Sequence, residues 1–362
     1  QYLNFKLQTT SMQIRIQFFL LLITLNVLGQ RPGKINTEQT LLSNGWKLSP
    51  AGRHTPLGDL PLNMAVSRSQ KWIAVTNNGQ SVQSIQLIDV RSEKVVNTTI
   101  VNKSWYGLAF SSDEKWLYAS GGNDNWILLF SVASGKLSLY DSIPLGKKWP
   151  EKISPAGITL DEKLNRLYVV TKENNTLYVI DTRTKKIVRE MPLEAEAFTC
   201  LLSPSKKDLY ISLWGANKVL IVDTKELTVK NTIPVGDNPN EMTLSKSGKY
   251  LYVANANDNS VSVIDIPNNK IIETLNTALF PDAPSGSTSN SVALSNDERT
   301  LYIANADNNC LAVFDVSAPG SSKAKGFIPT GWYPTQVKVI GNRLFVSNGK
   351  GFTSKANPYG PN

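Results

Sequence analysis

The stretch LYVANANDNSVSVIDIPNNKIIETL (residues 251–275) contains three short apolar runs separated by Asn- and Asp-rich turns. Runs of this length, rich in Val, Ile and Tyr and bounded by such residues, are typical of β-strands joined in hairpins. The first run recurs six more times in the 362-residue chain, so that the aligned positions are Ile73, Leu117, Leu167, Leu209, Leu251, Leu301 and Leu344. Their spacings are 44, 50, 42, 42, 50 and 43 residues. Seven copies at a period in the forties predict a propeller-type array.

Each copy contains four runs in a fixed order. An inner run such as EMTLS (241–245) precedes the aligned run, a third run such as TLYVID (176–181) ends in a carboxylate, and a fourth such as KIVREMPL (186–193) is more polar. Strands covered on both faces are apolar nearly throughout, whereas a polar strand suits an outer edge that is exposed to water. The sequence therefore predicts an all-β fold, a seven-bladed β-propeller with four-stranded blades.

The seventh copy is incomplete at its carboxyl end. It provides an inner strand (336–340) and a second strand from Arg343, but no third or fourth strand. The missing pattern lies at the amino end, where GWKLSPAGRHTPLGDLP (45–61) ends like DTKELTVKNTIPVGDNP (223–239). We expect amino-terminal strands to close the last blade, which would leave no open sheet edge in the ring.

Two family resemblances follow from these residues. Residues 251–275 resemble, over their whole length, the YVTN-type repeat of YncE-like propellers, and VTNN (75–78) resembles the tetrapeptide that names the repeat. This resemblance covers about residues 45–350 and implies the propeller fold. NGWKLSPAGRH (44–54) and NGKGFTSKANPYGPN (348–362) resemble the ends of the propeller in bifunctional proteins of exporting bacteria. The second resemblance implies an alkaline-phosphatase-superfamily phosphoesterase domain beyond residue 362 as a partner.

The amino terminus has the features of a secretory signal peptide. From Met12, the expected start, the chain has a basic residue, an apolar run over 18–28 and a small residue at Gly29. The run is shorter than the roughly 20 residues that span a bilayer, and Gln30 replaces the Cys that a lipoprotein needs. We expect upstream residues and a signal peptide at 1–29, a lead-in at 30–44, the propeller at 45–352, a tail at 353–362, and a periplasmic or extracellular location.

Charge and cysteine content bound the function further. The formal charge is +9, and removal of residues 1–29 would take away Lys6 and Arg15, leaving 36 basic against 29 acidic residues, or +7. The excess is dispersed, so nucleic-acid binding is only a weaker alternative, because tracking phosphates requires a clustered basic stripe. Cys200 and Cys310 occupy different positions of the repeat and are expected to be buried free thiols.

The recurring polar residues have structural explanations. The carboxylates that end the third strands are expected to accept backbone N–H bonds in the next turn; they are Asp89, Asp181, Asp223, Asp265 and Asp315. Asn-rich hairpins such as 255–259 suit tight turns better than a calcium site, because no EF-hand pattern is present. His54 is the only histidine, and the chain has no GxSxG, HExxH, Walker A or CxxC pattern. We therefore expect no catalytic residue, metal or cofactor.

Aromatic residues mark one face of the predicted ring. They follow either the fourth strand or the second strand of a blade, two connections that emerge on the same face. They are Trp105, Tyr106, Trp126, Trp149, Trp214, Phe280, Trp332 and Tyr333. Rigid aromatics on loops suit binding of a glycan, a peptide or a protein domain. The alternative is that these rings pack between adjacent blades.

Taken together, these features favour a non-catalytic, exported propeller that acts as a ligand- or partner-binding scaffold. The alternative is a propeller hydrolase of the lactonase type. The near absence of histidine and the lack of an acidic cluster in the expected channel loops weigh against that alternative. We therefore expect the propeller not to be an enzyme.

Overall fold

The computed structural model describes residues 32–351 and 354. The predicted signal peptide within residues 1–29 and nearly all of the predicted tail lie outside the described residues, so the expected location stays a prediction. In the part of the chain that is described, no helix is long and apolar enough to cross a membrane.

The chain divides into two units, with the boundary between Ser49 and Pro50. The described part of the first unit is a small antiparallel sheet in the order β1-β2-β3. Its strands are β1 (Gly33–Lys34), β2 (Thr40–Leu41) and β3 (Lys47–Leu48).

The second unit contains the propeller. Blade one has β4 (Pro61–Val66), β5 (Trp72–Asn77), β6 (Ser84–Asp89) and β7 (Lys94–Ile100). Blade two has β8 (Leu108–Phe110), β9 (Trp116–Ser120), β10 (Trp126–Ala133) and β11 (Lys136–Pro144), with a 3-10 turn at Gly122–Asp124. Blade three has β12 (Pro155–Asp161), β13 (Arg166–Thr171), β14 (Thr176–Asp181) and β15 (Lys186–Pro192). Blade four has β16 (Thr199–Leu202), β17 (Asp208–Leu213), β18 (Lys218–Asp223) and β19 (Val229–Pro234).

The remaining blades repeat this order. Blade five has β20 (Pro239–Leu244), β21 (Tyr250–Asn255), β22 (Ser260–Asp265) and β23 (Lys270–Asn276). Blade six has β24 (Ser289–Leu294), β25 (Thr300–Asn305), β26 (Cys310–Asp315) and β27 (Lys323–Pro329). Blade seven has β28 (Pro334–Ile340) and β29 (Arg343–Asn348). The predicted all-β, seven-bladed propeller with four-stranded blades is confirmed, with six blades four-stranded in the described residues.

The burial pattern explains why the repeat forms these strands. In β21, Leu251 and Val253 have no exposed surface and pack in one cluster with residues of blade four. The alternate residues Tyr252 and Ala254 pack in another cluster with residues of blade six. The outer strand β7 instead alternates exposed and half-buried residues along its whole length. Each blade thus buries its inner strands on both faces and leaves its outer strand in water.

The carboxylates at the third-strand ends have the predicted structural role. Asp181 Oδ1 accepts hydrogen bonds from the backbone N–H groups of Arg183 (3.0 Å) and Thr184 (2.8 Å). Asp89 Oδ1 accepts bonds from both the N–H and the hydroxyl of Ser92, each 2.7 Å long. The two cysteines are free and buried, as predicted.

The prediction that amino-terminal strands complete blade seven is wrong. β3 pairs with β2 of its own small sheet, and residues 49–60 form no strand in the described chain. Pro50 and Pro56 lack the N–H that a ladder requires, and Gly52 has a left-handed φ of 82°. Blade seven is therefore a two-stranded sheet in the described residues.

Side chains join blade seven to blade one instead. Ile340 packs in one cluster with Met64 and Ile73 of blade one. The Thr335 hydroxyl donates a hydrogen bond to the Pro61 carbonyl at 2.6 Å. This apolar and polar contact closes the ring at the innermost strands, where the axial channel lies.

Candidate functional site

The seven inner strands bring one equivalent residue each to the same level around the axis. In every blade, the third residue of the aligned second-strand run pairs with one inner-strand residue. Examples are Val253, which pairs with Met242, and Val346, which pairs with Val337. The residue of interest is the one directly before that inner-strand partner. We name the set the Glu241 ring: Asn63, Gly107, Gly157, Thr199, Glu241, Ser291 and Gln336. The ladder register shifts here in five of the seven inner strands. Such bulges redirect side chains and are common next to active sites.

The repeat symmetry is broken by two charged residues. Glu241 is the only ionisable member of its ring. Two residues further along each strand lies a second level, the Lys338 ring: Ala65, Ala109, Thr159, Leu201, Thr243, Ala293 and Lys338. Lys338 is the only ionisable member of that ring. One carboxylate and one ammonium thus stand out against small or neutral residues.

These two charges form an ion pair that crosses blade six. Lys338 Nζ lies 2.6 Å from Glu241 Oε1, with 25% of the lysine side chain and 9% of the glutamate side chain exposed. On the other oxygen, Glu241 Oε2 accepts the hydroxyl of Ser291 and, at 3.3 Å, the N–H of Val292. Both carboxylate oxygens are therefore held in place, as a charge in this environment requires.

Tyr106 extends from blade two across the channel. Its phenol oxygen accepts a hydrogen bond from Gln336 Nε2 of blade seven at 2.9 Å. Its ring lies 4.5 Å from that of Phe198, centroid to centroid, at an interplanar angle of 52°. Burial and the negative charge of Glu241 raise the pKa of the Tyr106 phenol well above its ordinary value. Tyr106 remains a neutral phenol near neutral pH.

A cavity of about 340 Å³ lies within the channel. Its wall includes Glu241 and Lys338, and it extends from Tyr106 to Val66 at the far end of β4. It therefore reaches from the level of Tyr106 away from the aromatic loops. This volume is within the range of small-molecule sites.

A second cavity, of about 480 Å³, lies where the hairpins of blades seven and one meet on the opposite face. It is lined by Lys71, Arg91 and Arg343 among others, and no carboxylate is among its lining residues. This cavity lacks an acid–base pair, so the axial cavity is the candidate site although it is smaller.

The predicted aromatic residues do not converge on one site. Tyr106 alone among them lines the axial cavity. Trp149 and Phe280 are 56% and 58% exposed. The other five rings are half-buried, and Trp214 has no lysine ammonium over its ring among the described residues. The remaining four have a lysine Nζ near the ring centroid: Trp105 with Lys172 (5.5 Å), Trp126 with Lys148 (4.4 Å), Trp332 with Lys350 (5.8 Å) and Tyr333 with Lys350 (4.1 Å). A ligand or partner site on this loop face stays a prediction.

The comparisons with known proteins bear on activity. The family described as lactonase, seven-bladed β-propeller, matches residues 189–278, and the LVIVD repeat matches residues 288–330. No curated protein matches in sequence. The fold resembles Kuenenia stuttgartiensis hydrazine synthase, with 18% identity over 82% of this chain and 95% of that chain and a TM-score of 0.68. It also resembles a protein from Lactobacillus plantarum, with 14% identity over 84% and 96% and a TM-score of 0.66.

These findings change the functional interpretation. The two structural likenesses show the fold alone. Neither of the two family matches is to a YncE-like family. The lactonase match, which includes β20 and Glu241, overturns the prediction of a non-catalytic scaffold and favours the hydrolase alternative. The chain is a seven-bladed β-propeller with sequence similarity to the lactonase-type propeller and to the LVIVD repeat.

Proposed function

We propose that this propeller is a hydrolase of the lactonase type and that it opens a lactone or related ester in the axial cavity. The proposal rests chiefly on one observation: the only charged residues in the two channel rings are a carboxylate and an ammonium that meet on the same cavity. The lactonase match over residues 189–278 supports the reaction class.

The pair has the chemistry that ester hydrolysis needs. Glu241 accepts the proton of a water molecule that attacks the lactone carbonyl, and general-base catalysis of this kind contributes about 10²–10⁴-fold. Lys338 is bound to the carboxylate at one N–H, so two ammonium protons remain to stabilise the oxyanion that develops on the carbonyl oxygen. One such donor contributes about 10²–10³-fold.

Ser291 is not assigned as the nucleophile. Its side chain has no exposed surface, and it is not among the residues that line the cavity. Its hydroxyl donates to Glu241, and its oxygen accepts the N–H of Val337 at 3.1 Å. Ser291 therefore holds the carboxylate in position, and the attacking group is water.

The test is hydrolysis of a panel of γ-lactones, δ-lactones and aryl esters by the full chain and its variants. We expect Glu241→Gln to lower kcat/KM by about 10²–10⁴-fold and Lys338→Met by about 10²–10³-fold. The matched control is Lys230→Met, because Lys230 forms an ion pair of the same length, 2.6 Å, with Asp208 outside the cavity. No hydrolysis above buffer, or equal activity of Glu241→Gln and the parent protein, would contradict the proposal.

A further inference from the structure

Tyr106 breaks the repeat symmetry of a third level. The residue that precedes the Glu241 ring in each blade is Leu62, Tyr106, Ala156, Phe198, Asn240, Asn290 or Thr335. Tyr106 is the only phenol among them, and its side chain is 5% exposed, so it is held within the channel. The two other large apolar side chains at this level, Phe198 and Leu62, have no proton to donate.

The phenol proton is not used by the bond to Gln336, and the carboxylate that acts on the phenol is Glu241. Gln336 donates its amide N–H to the phenol oxygen, so that bond does not use the phenol proton. The backbone of Tyr106 is fixed separately, because Asn63 Nδ2 donates to its carbonyl at 2.6 Å. The negative charge of Glu241 acts on the phenol, and Tyr106 and Glu241 line the same cavity.

Resting on the proposed lactonase function, we propose that Tyr106 is the catalytic residue that donates a proton to the leaving oxygen of the lactone. Glu241 takes a proton from water as the water oxygen forms its bond to the carbonyl carbon. When the tetrahedral intermediate collapses, the ring C–O bond breaks and the leaving alkoxide takes the proton of Tyr106. The phenolate then recovers a proton from the Glu241 carboxylic acid. One water and one lactone give one hydroxy acid, and both residues return to their starting states.

The other donors at the cavity have other roles. Lys338 binds Glu241 and is assigned to the carbonyl oxyanion, and the Asn63 amide binds the Tyr106 carbonyl. The raised pKa of the phenol suits transfer to an alkoxide, which is a far stronger base than a phenolate. If Tyr106 donates a proton, its loss should slow hydrolysis of esters with an alkoxide leaving group more than hydrolysis of esters whose leaving group needs no proton. A merely structural role would affect both kinds of ester equally.

The test compares Tyr106→Phe with the parent chain on δ-valerolactone, whose leaving group is an alkoxide, and on p-nitrophenyl acetate, whose leaving group needs no proton. We expect kcat to fall about 100-fold on the lactone and less than about threefold on the aryl ester. The control is Tyr252→Phe, a buried tyrosine that packs between blades five and six. We expect this variant to retain both activities.

Equal losses on the two substrates, or no loss on the lactone, would overturn the assignment of Tyr106. That failure is separate from a failure of the proposed function. If Glu241→Gln abolishes lactone hydrolysis but Tyr106→Phe does not, the lactonase stands and only the proton donor is wrong. If the parent chain hydrolyses neither substrate, the proposed function itself is wrong.

Discussion

Replacing Lys338 by methionine removes the only countercharge of the carboxylate in the channel. Glu241 is buried, and without Lys338 its side chain keeps the bonds from Ser291 and the Val292 N–H but has no countercharge. Breaking a buried ion pair by removing one partner costs about 3–5 kcal/mol, because it leaves an uncompensated charge. Lys338 is one-quarter exposed, so we expect a loss near the lower limit, about 3 kcal/mol in the free energy of unfolding.

The two partners should not be equivalent. Glu241→Gln leaves an ammonium that already reaches water, so its cost should be smaller, about 1–2 kcal/mol. The double variant Glu241→Gln, Lys338→Met leaves no buried charge and should recover about 2 kcal/mol relative to Lys338→Met alone. The more exposed pair of Lys230 and Asp208 should contribute about 1 kcal/mol or less.

The measurement is urea-induced unfolding of the four proteins and of Lys230→Met, followed by far-UV circular dichroism. A loss for Lys338→Met no greater than that for Lys230→Met would refute the claim that the channel holds a buried charge. A double variant less stable than Lys338→Met would also refute it, because it would mean that the effect comes from packing of the lysine stem. This cycle is independent of any substrate.

Two further predictions concern acid and thiols. Hydrogen bonds from turn residues lower the pKa of Asp89 and Asp181 in the folded chain. The ionised carboxylates therefore contribute stability above their unfolded pKa of about 4. This stability is lost as the pH falls through the lower folded pKa. Asp181→Asn should therefore flatten the acid limb of a stability–pH curve, and an unchanged limb would contradict this account. Burial raises the pKa of Cys310 to about 12 and that of Cys200 even further. At pH 8, Ellman's reagent should label neither thiol in the folded chain and both in urea; fast labelling before unfolding would contradict their burial.

The fold could be predicted from the sequence because every blade solves the same packing problem. The apolar runs around Leu251 and Val253 recur because neighbouring sheets cover them on both sides. The closure could not be predicted as well. The likeness of residues 45–61 to residues 223–239 reflects the repeat, but Pro50 and Pro56 deprive the segment of donors, and it forms no ladder.

The site was harder to predict because a strand residue's direction depends on local register. Glu241 and Lys338 belong to runs that read as ordinary inner strands, EMTLS and QVKVI. Alignment with GITLD and SVALS shows both charges as departures from the repeat, whereas the aromatic residues that suggest binding lie in the loops. Tyr106 was identified for a different reason, as a loop aromatic. Its reach across the channel to Gln336 depends on the closed ring, which places blades two and seven on either side of blade one.

Gly157, a member of the Glu241 ring, gives a test of how tightly the ring positions Tyr106. A Cβ at Gly157 would lie 2.4 Å from Thr199 Cα and 2.9 Å from the Phe198 carbonyl oxygen, so Gly157→Ala must push blades three and four apart. The loss of stability should be about 1–3 kcal/mol, as for other overpacked sites. Because Phe198 stacks on Tyr106, the displacement should also reduce lactone hydrolysis more than aryl ester hydrolysis. Gly215→Ala, whose Cβ would meet its nearest atom at 3.3 Å on the loop face, is the matched control. If both variants unfold at the same urea concentration, the inner strands adapt to the added methyl group. The Glu241 ring is then not rigid, and the claim that it holds the Tyr106 phenol in position is wrong.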